Sequence, residues 1–373
     1  MDRVELEIQG MTCEACGVHV RDALASAGAR EVAIDWRAGS GTIAAGGPDQ
    51  AELNQALAGT HYHVKRVAPG RGNGDRPDGD WGARDYDLVV LGSGSAAFAA
   101  AIRARDLGRS VLLAEAGTVG GTCVNIGCIP SKSLLASSER RDGQPGALAQ
   151  AVSVKAALVE QLRREKYEQL LDEYEIELRH AQARLLDAHT VALGDEQISA
   201  EAILVATGAR PAVPPIEGLE ETGYLTSTTA LELTEPPARL AVIGANAVGL
   251  ELGQMLGNFG SQVTFIDLAR VAPFEEPEVS ETIRQILQDA GHSVLEGAVT
   301  ERISRDGHEK MISGTVAGEP FEVRVDELLV ATSRTPNSEG IGLEAAGVET
   351  DSRGAILVDE HQQTSVPSIY AAG

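Results

Sequence analysis

Residues 87–97 read Asp87-Leu-Val-Val-Leu-Gly92-Ser-Gly94-Ser-Ala-Ala97, and Val111-Leu-Leu-Ala-Glu115 follows, so that an acid ends the second apolar run 23 residues after Gly92. A continuous apolar strand that passes through a glycine turn into a helix is the signature of a buried parallel sheet. At the G-x-G-x-x-A spacing the first glycine makes the tight turn, and the second lets backbone approach a pyrophosphate at the helix N-terminus. The acid at the next strand end accepts from a ribose hydroxyl. Gly92, Gly94, Ala97 and Glu115 are therefore expected to hold a dinucleotide. The pattern recurs as Leu240-Ala-Val-Ile-Gly244-Ala-Asn246-Ala-Val-Gly249, with Asp267 ending Val263-Thr-Phe-Ile, again 23 residues on. Asn246 replaces the middle glycine and narrows the approach, so a purely structural βαβ turn is the alternative here; the duplication favours a second dinucleotide site.

Between the two loops lies Gly120-Gly121-Thr122-Cys123-Val-Asn-Ile-Gly-Cys128-Ile-Pro-Ser-Lys132. Cysteines five positions apart can lie one helical turn from each other, within reach of a disulfide, and a helix N-terminus and Lys132 would favour the thiolate. Two inert, buried thiols are the competing reading, but such residues rarely arrive with flanking glycines, a proline and a cation.

Upstream of the first loop the pattern differs. Strand-like runs at Val4–Ile8, Val32–Trp36, Thr42–Ala45 and Val64–Val67 alternate with helical patterns near Cys16–Ser26 and Asp49–Ala58, a βαββαβ order. Within it Gly10-Met11-Thr12-Cys13-Glu14-Ala15-Cys16 sets a C-x-x-C pair on the loop before a helix, where two soft thiolates can grip one soft metal ion. Pro69 to Asp80 is rich in Gly, Pro and Asp, with almost nothing apolar to bury, and reads as a flexible tether.

Composition narrows the function classes. Of 373 residues 43% are apolar and 23% charged, a core-forming balance, and 31 basic against 55 acidic side chains leave a net charge of −24. That charge repels phosphate, so nucleic acid and anionic membranes are unfavourable partners. The longest apolar candidate, Leu88 to Ile102, is interrupted by Gly92, Ser93, Gly94 and Ser95, so no membrane insertion is expected. The N-terminus lacks the profile of a signal peptide, which points to a reducing cytoplasm and to cysteines used for metal or redox chemistry.

Gly-Gly-Thr-Cys-Val-Asn-Ile-Gly-Cys-Ile-Pro-Ser-Lys resembles the redox-active segment of the flavin disulfide reductases, the family of lipoamide dehydrogenase, glutathione reductase and mercuric reductase. Ile203-Leu-Val-Ala-Thr207-Gly208 and Ser365-Val-Pro-Ser-Ile-Tyr-Ala-Ala-Gly373 resemble its further flavin-domain segments. The resemblance covers about residues 85–373. It implies an α/β fold of two nested Rossmann-like dinucleotide-binding domains, one for FAD and one for NAD(P), with electrons passing from nicotinamide to flavin to the cysteine pair. It would make Cys128 the flavin-proximal thiol and Cys123 the outer one. Lys132 would sit by the flavin, paired with Glu251, and Gly121, Thr122, Thr207, Gly208 and Arg334 would join the cofactor contacts.

The N-terminal segment is similar to heavy-metal-associated domains, with Cys13 and Cys16 as ligands and a small ferredoxin-like βαββαβ fold. Tyr62 matches a position where mercury-handling versions carry tyrosine. This domain order, and Tyr224-Leu-Thr-Ser-Thr-Thr-Ala-Leu around a mercury-contacting tyrosine, are similar to the mercury-reducing branch of the family. The resemblance then implies a heavy-metal-associated domain over 1–68, a linker over 69–84, a FAD-binding domain over 85–230, an NAD(P)-binding domain over 231–345 and a return to the FAD domain over 346–373. Cys123 and Cys128 would hold Hg(II), delivered as thiol complexes with small thiols, for reduction to Hg(0). The family continues past Gly373 into an interface domain that supports a homodimer and carries a further cysteine pair, and Ser333 stands where the family usually has glycine.

Two alternatives accompany this reading: a lipoamide dehydrogenase-like or glutathione reductase-like disulfide oxidoreductase, and a soft-metal-binding protein without turnover. For the nicotinamide, Asp267 favours a free 2′-hydroxyl and repels a 2′-phosphate, whereas Arg270 could rescue NADPH if it turned inward and the branch is commonly NADPH-linked. The balance favours NADH or dual use.

Overall fold

The computed structural model describes residues 3–11, 14–36, 39–44, 46–58, 60, 62–69, 84–139 and 144–373. Cys13 and most of the expected linker lie outside them. The chain separates into two compact units, Met1–Ala83 and Arg84–Gly373.

In the first unit the strands Arg3–Gln9, Ala33–Asp35, Ser40–Ala44 and His63–Pro69 and the helices Glu14–Ser26 and Gln50–Ala56 follow one another as βαββαβ. The sheet is antiparallel, with 33–35 and 40–44 on one side of 3–9 and 63–69 on the other. Helix residues Val20, Leu24 and Leu53 close a core against Leu6, Ile8, Ile43 and Val64. The second helix starts where Asp49 accepts from the Glu52 amide while the Glu52 carboxylate accepts from the Asp49 amide, a reciprocal cap that satisfies two otherwise open donors.

The second unit contains a seven-stranded mixed sheet with a parallel centre and a four-stranded parallel sheet. In the first, Tyr86–Leu91 lies between Val111–Glu115 and the far half of Glu196–Val205, parallel to both. Glu177–His180 extends one edge, and Ile369–Ala371 pairs with Glu196–Val205 from the other side. Val89 and Leu91 pack into one apolar cluster and Val90 into another, which explains why the strand reads as an unbroken apolar run: both faces are covered.

The second sheet orders Ser293–Leu295, Gln262–Ile266, Arg239–Ile243 and Glu327–Val330, all parallel. Leu240 and Val242 face one core, Ala241 and Ile243 the other. This sheet falls in sequence between strands 196–205 and 369–371 of the first, so one dinucleotide unit is inserted within the other. Sequence reading did not anticipate the three-stranded antiparallel meander Ala298–Asp306, Glu309–Val316 and Glu319–Val325. No helix among the described residues is long and apolar enough to cross a membrane.

Candidate active site

At the carboxyl ends of strands 86–91, 111–115 and 196–205 lies a cleft of about 780 Å³. Ligands of open parallel sheets bind at these strand ends. Gly92, at φ +111°, turns the chain where any Cβ would stand 2.4 Å from the Ala206 carbonyl oxygen. Gly94 opens onto the cleft, for a Cβ there would meet nothing closer than the Gly121 Cα at 3.9 Å. The helix Ser95–Asp106 begins at Gly94 without a side-chain cap, so its first amides point toward the cleft unsatisfied by side chains. Ala97 is fully buried beneath them and does not line the cleft.

Glu115 lines the same cleft, and its two oxygens accept from the Ser93 hydroxyl at 2.5 Å and the Gly117 amide at 2.7 Å. The acid thereby anchors the glycine loop, and each oxygen keeps a second lone pair for a ribose hydroxyl. Gly121, Thr122, Thr207 and Gly208 complete the wall. Volume, open glycine and free helix amides together fit a dinucleotide such as FAD.

The second loop repeats the device. Gly244, at φ +104°, sits where a Cβ would lie 2.5 Å from the Ala331 carbonyl oxygen, and a Cβ on Gly249 would lie 1.9 Å from the Gly244 oxygen. Asn246 opens the helix Ala247–Asn258 at φ −109°, an extended conformation that any residue adopts, so replacing the middle glycine costs no backbone strain. Asp267 accepts from the Ala245 amide at 2.6 Å and the Ala269 amide at 2.8 Å, the counterpart of Glu115.

The sulfur pair sits where two helices meet head to tail. Cys123 belongs to Gly121–Ile126, and Cys128 is the first residue of Cys128–Ser138. Gly127 joins them where a Cβ would stand 2.9 Å from the Thr122 carbonyl oxygen, so only glycine allows this closeness. Cys123 is half-buried and lines the cleft; Cys128 is exposed. The 121–126 helix lies along the cleft wall, and Cys128 opens the next helix.

The hydrogen bond with Cys128, then burial and the charge of Cys128, push the Cys123 thiol up, while Lys132 opposes the shift.

Lys132 Nζ reaches the Glu251 carboxylate at 2.6 Å, as expected. Neither residue lines the cleft. Tyr224 does not either: it packs against the core of the second sheet and donates to Glu220 at 3.1 Å. Arg334 is also away from the lining, its guanidinium donating to the Ala209 carbonyl oxygen, because strands Ala209–Pro211 and Arg334–Pro336 pair antiparallel. Of the N-terminal pair, Cys16 is buried on the helix 14–26.

Residues 86–373 match the family model described as pyridine nucleotide-disulphide oxidoreductase. The chain belongs to this family. It is 41% identical to a mercuric reductase of Staphylococcus aureus, over 99% of this chain and 70% of the relative. A mercuric reductase of Streptomyces lividans is 43% identical over 77% of this chain and 65% of its own length. Among solved structures, the Cu(II) complex of the HOCl-induced flavoprotein disulfide reductase RclA from Escherichia coli superposes with a TM-score of 0.72 at 32% identity, covering 78% of this chain and 66% of that one.

Residues that sequence reading missed complete the family's cleft. Ser93 tethers Glu115, as above. Asn337 lines the cleft and exchanges hydrogen bonds with Thr207, its amide nitrogen donating to the Thr207 carbonyl at 2.9 Å and its carbonyl accepting from the Thr207 hydroxyl at 2.8 Å. Asn125 donates to the carbonyls of Val119 and Gly121 and so stiffens the helix that carries Cys123. For Asn337 the signal was present in Arg334-Thr-Pro-Asn337, a polar stretch soon after the apolar strand Glu327–Val330.

Proposed function

We propose that this chain reduces Hg(II) to Hg(0) with electrons from a reduced nicotinamide. The observation that carries the reading is the cysteine pair beside a dinucleotide cleft, in a chain whose likeness to mercuric reductases runs through 99% of its length, N-terminal unit included. When bound, FAD carries an electron pair from the nicotinamide side to the sulfur side of the cleft.

Cys123 and Cys128 provide the soft ligands that hold Hg(II). Loss of both thiol protons completes a two-thiolate site, and two electrons then discharge the ion to a neutral atom with little affinity for thiolate. Lys132 keeps positive charge near the developing thiolates, and Glu251 holds the lysine in place. The first unit is read as a ferredoxin-like heavy-metal-associated module that uses Cys13 and Cys16 to collect the ion. A reducing cytoplasm, small thiols as carriers and a second copy of the chain complete the reading.

Single Cys123→Ser and Cys128→Ser variants test it. Nicotinamide-dependent release of mercury vapour should fall by at least about a hundredfold in each. Electron transfer from nicotinamide to ferricyanide, which takes electrons without the sulfur pair, should stay near the unmodified level. Substantial mercury turnover in either variant refutes the assignment.

A further inference from the structure

The loop that follows Asp267 carries information about which nicotinamide dinucleotide fits. Recognition of a 2′-phosphate needs a cation free to turn toward the end of the second strand, whereas a free 2′-hydroxyl needs an acceptor there. Asp267 is that acceptor, fixed by the Ala245 and Ala269 amides. Arg270, the one cation on the loop 267–276, is directed elsewhere: its guanidinium donates to the carbonyls of Pro273 and Glu275 on its own loop.

That turn is held from several sides. Ala272 adopts φ +47°, and its amide donates to the Ala245 carbonyl of the glycine loop at 2.8 Å. The Val271 amide donates to Glu296 at 2.7 Å, and the Ser280 hydroxyl donates to the Val271 carbonyl. Turning Arg270 inward would give up both carbonyl bonds and disturb a loop pinned on either side. The next cation, Arg284, is paired with Glu281 and Glu296. Between residues 262 and 296 seven acids face two arginines, so the surrounding field also opposes a phosphate.

The same loop displays Leu268, 73% exposed, and Phe274, 89% exposed, the two most exposed large apolar side chains among the described residues. An apolar surface beside a ribose acceptor suits the adenine of the dinucleotide.

We infer that the second loop selects the dinucleotide with a free 2′-hydroxyl, NADH over NADPH, with Asp267 determining the specificity and Arg270 locked out of the phosphate position. This rests on the reading of that loop as the nicotinamide site.

Calorimetric titration of the full chain with NAD⁺ and with NADP⁺ tests the inference without turnover. NAD⁺ should bind at least about tenfold tighter. Asp267→Asn keeps an acceptor for the Ala245 amide and should narrow the ratio severalfold, and Arg270→Ala should leave NADP⁺ affinity unchanged. Equal or tighter NADP⁺ binding, or weaker NADP⁺ binding after Arg270→Ala, overturns the selectivity while leaving the site in place. If neither dinucleotide binds, the nicotinamide assignment of the loop falls as well.

Discussion

Lys132 on the helix that begins with Cys128 and Glu251 on the helix that follows the second glycine loop form an ion pair at 2.6 Å across 119 residues of sequence. The pair couples the sulfur segment to the inserted dinucleotide unit. Glu251 gives one oxygen to the lysine, and its other oxygen is buried with no hydrogen-bond partner among the described residues. The lysine is 63% exposed and the glutamate 22%, so solvent screens one side of the pair.

Removing the lysine strands the carboxylate. Lys132→Met should lower stability by about 1 kcal/mol, discounted for the exposure of the lysine. Adding Glu251→Gln should recover most of that loss, because a neutral amide tolerates the site. Urea denaturation of the two single variants and the double provides the cycle, and strictly additive effects would show that the pair has no energetic coupling.

Two glycines of the dinucleotide loops should respond oppositely to alanine. At Gly249 the new Cβ would fall 1.9 Å from the backbone oxygen of Gly244, so Gly249→Ala should cost about 2–4 kcal/mol. At Gly94 the space is open, so Gly94→Ala should leave the melting temperature of the FAD-free protein nearly unchanged while reducing FAD retention. Thermal melts and flavin absorbance of the two purified variants check both halves.

His292 should make stability fall on mild acidification. Burial lowers its pKa below the usual value of about 6.5, and its Nδ1 accepts from the Val263 amide beside the Phe265 ring. The folded protein thus holds the ring neutral. Its contribution is complete above about pH 6.5 and declines as pH falls from there toward the folded pKa, where only the unfolded chain takes up the proton. The urea midpoint should therefore drop between pH 7.5 and 5.5, and His292→Gln should flatten that part of the profile.

The N-terminal pair should matter only when mercury is scarce. On the proposed reading, the first unit raises the local concentration of the ion without taking part in its reduction. Cys13→Ala with Cys16→Ala should weaken capture from thiol competitors and leave turnover at saturating mercury within about twofold. Loss of turnover at saturation contradicts this division of labour.

Much of this architecture was legible because the features that carry it are local. Gly92 and Gly244 each follow an unbroken apolar strand, and each loop announces an acid at a fixed distance. The Gly-Cys-Ile-Pro-Ser-Lys run places a thiol at a helix start within one stretch of chain. The position of Arg270 was not legible, since it depends on the left-handed turn at Ala272 and on anchors as distant as Glu296. The meander over 298–325 carries hairpin signals at Gly307 and at Ala317-Gly318, all at positive φ, but its strands are only partly buried and their apolar alternation is weak. The π-helical turn at Arg164–Glu168 has no local cause either; Tyr167 there packs edge-on against Phe98, a contact 69 residues away in sequence.

Strand 369–371 completes a sheet whose neighbouring strand ended at Val205. On a ribosome, the roughly 160 residues between them take about 8 to 30 s to synthesise. Throughout that interval the edge of strand 196–205 waits for its parallel partner, while every strand of the inserted second sheet, from Arg239 to Val330, emerges and can pair. The inserted domain is thus free to mature first, and closure of the surrounding one becomes a late event that the nascent chain cannot reach until Ile369–Ala371 has left the exit tunnel.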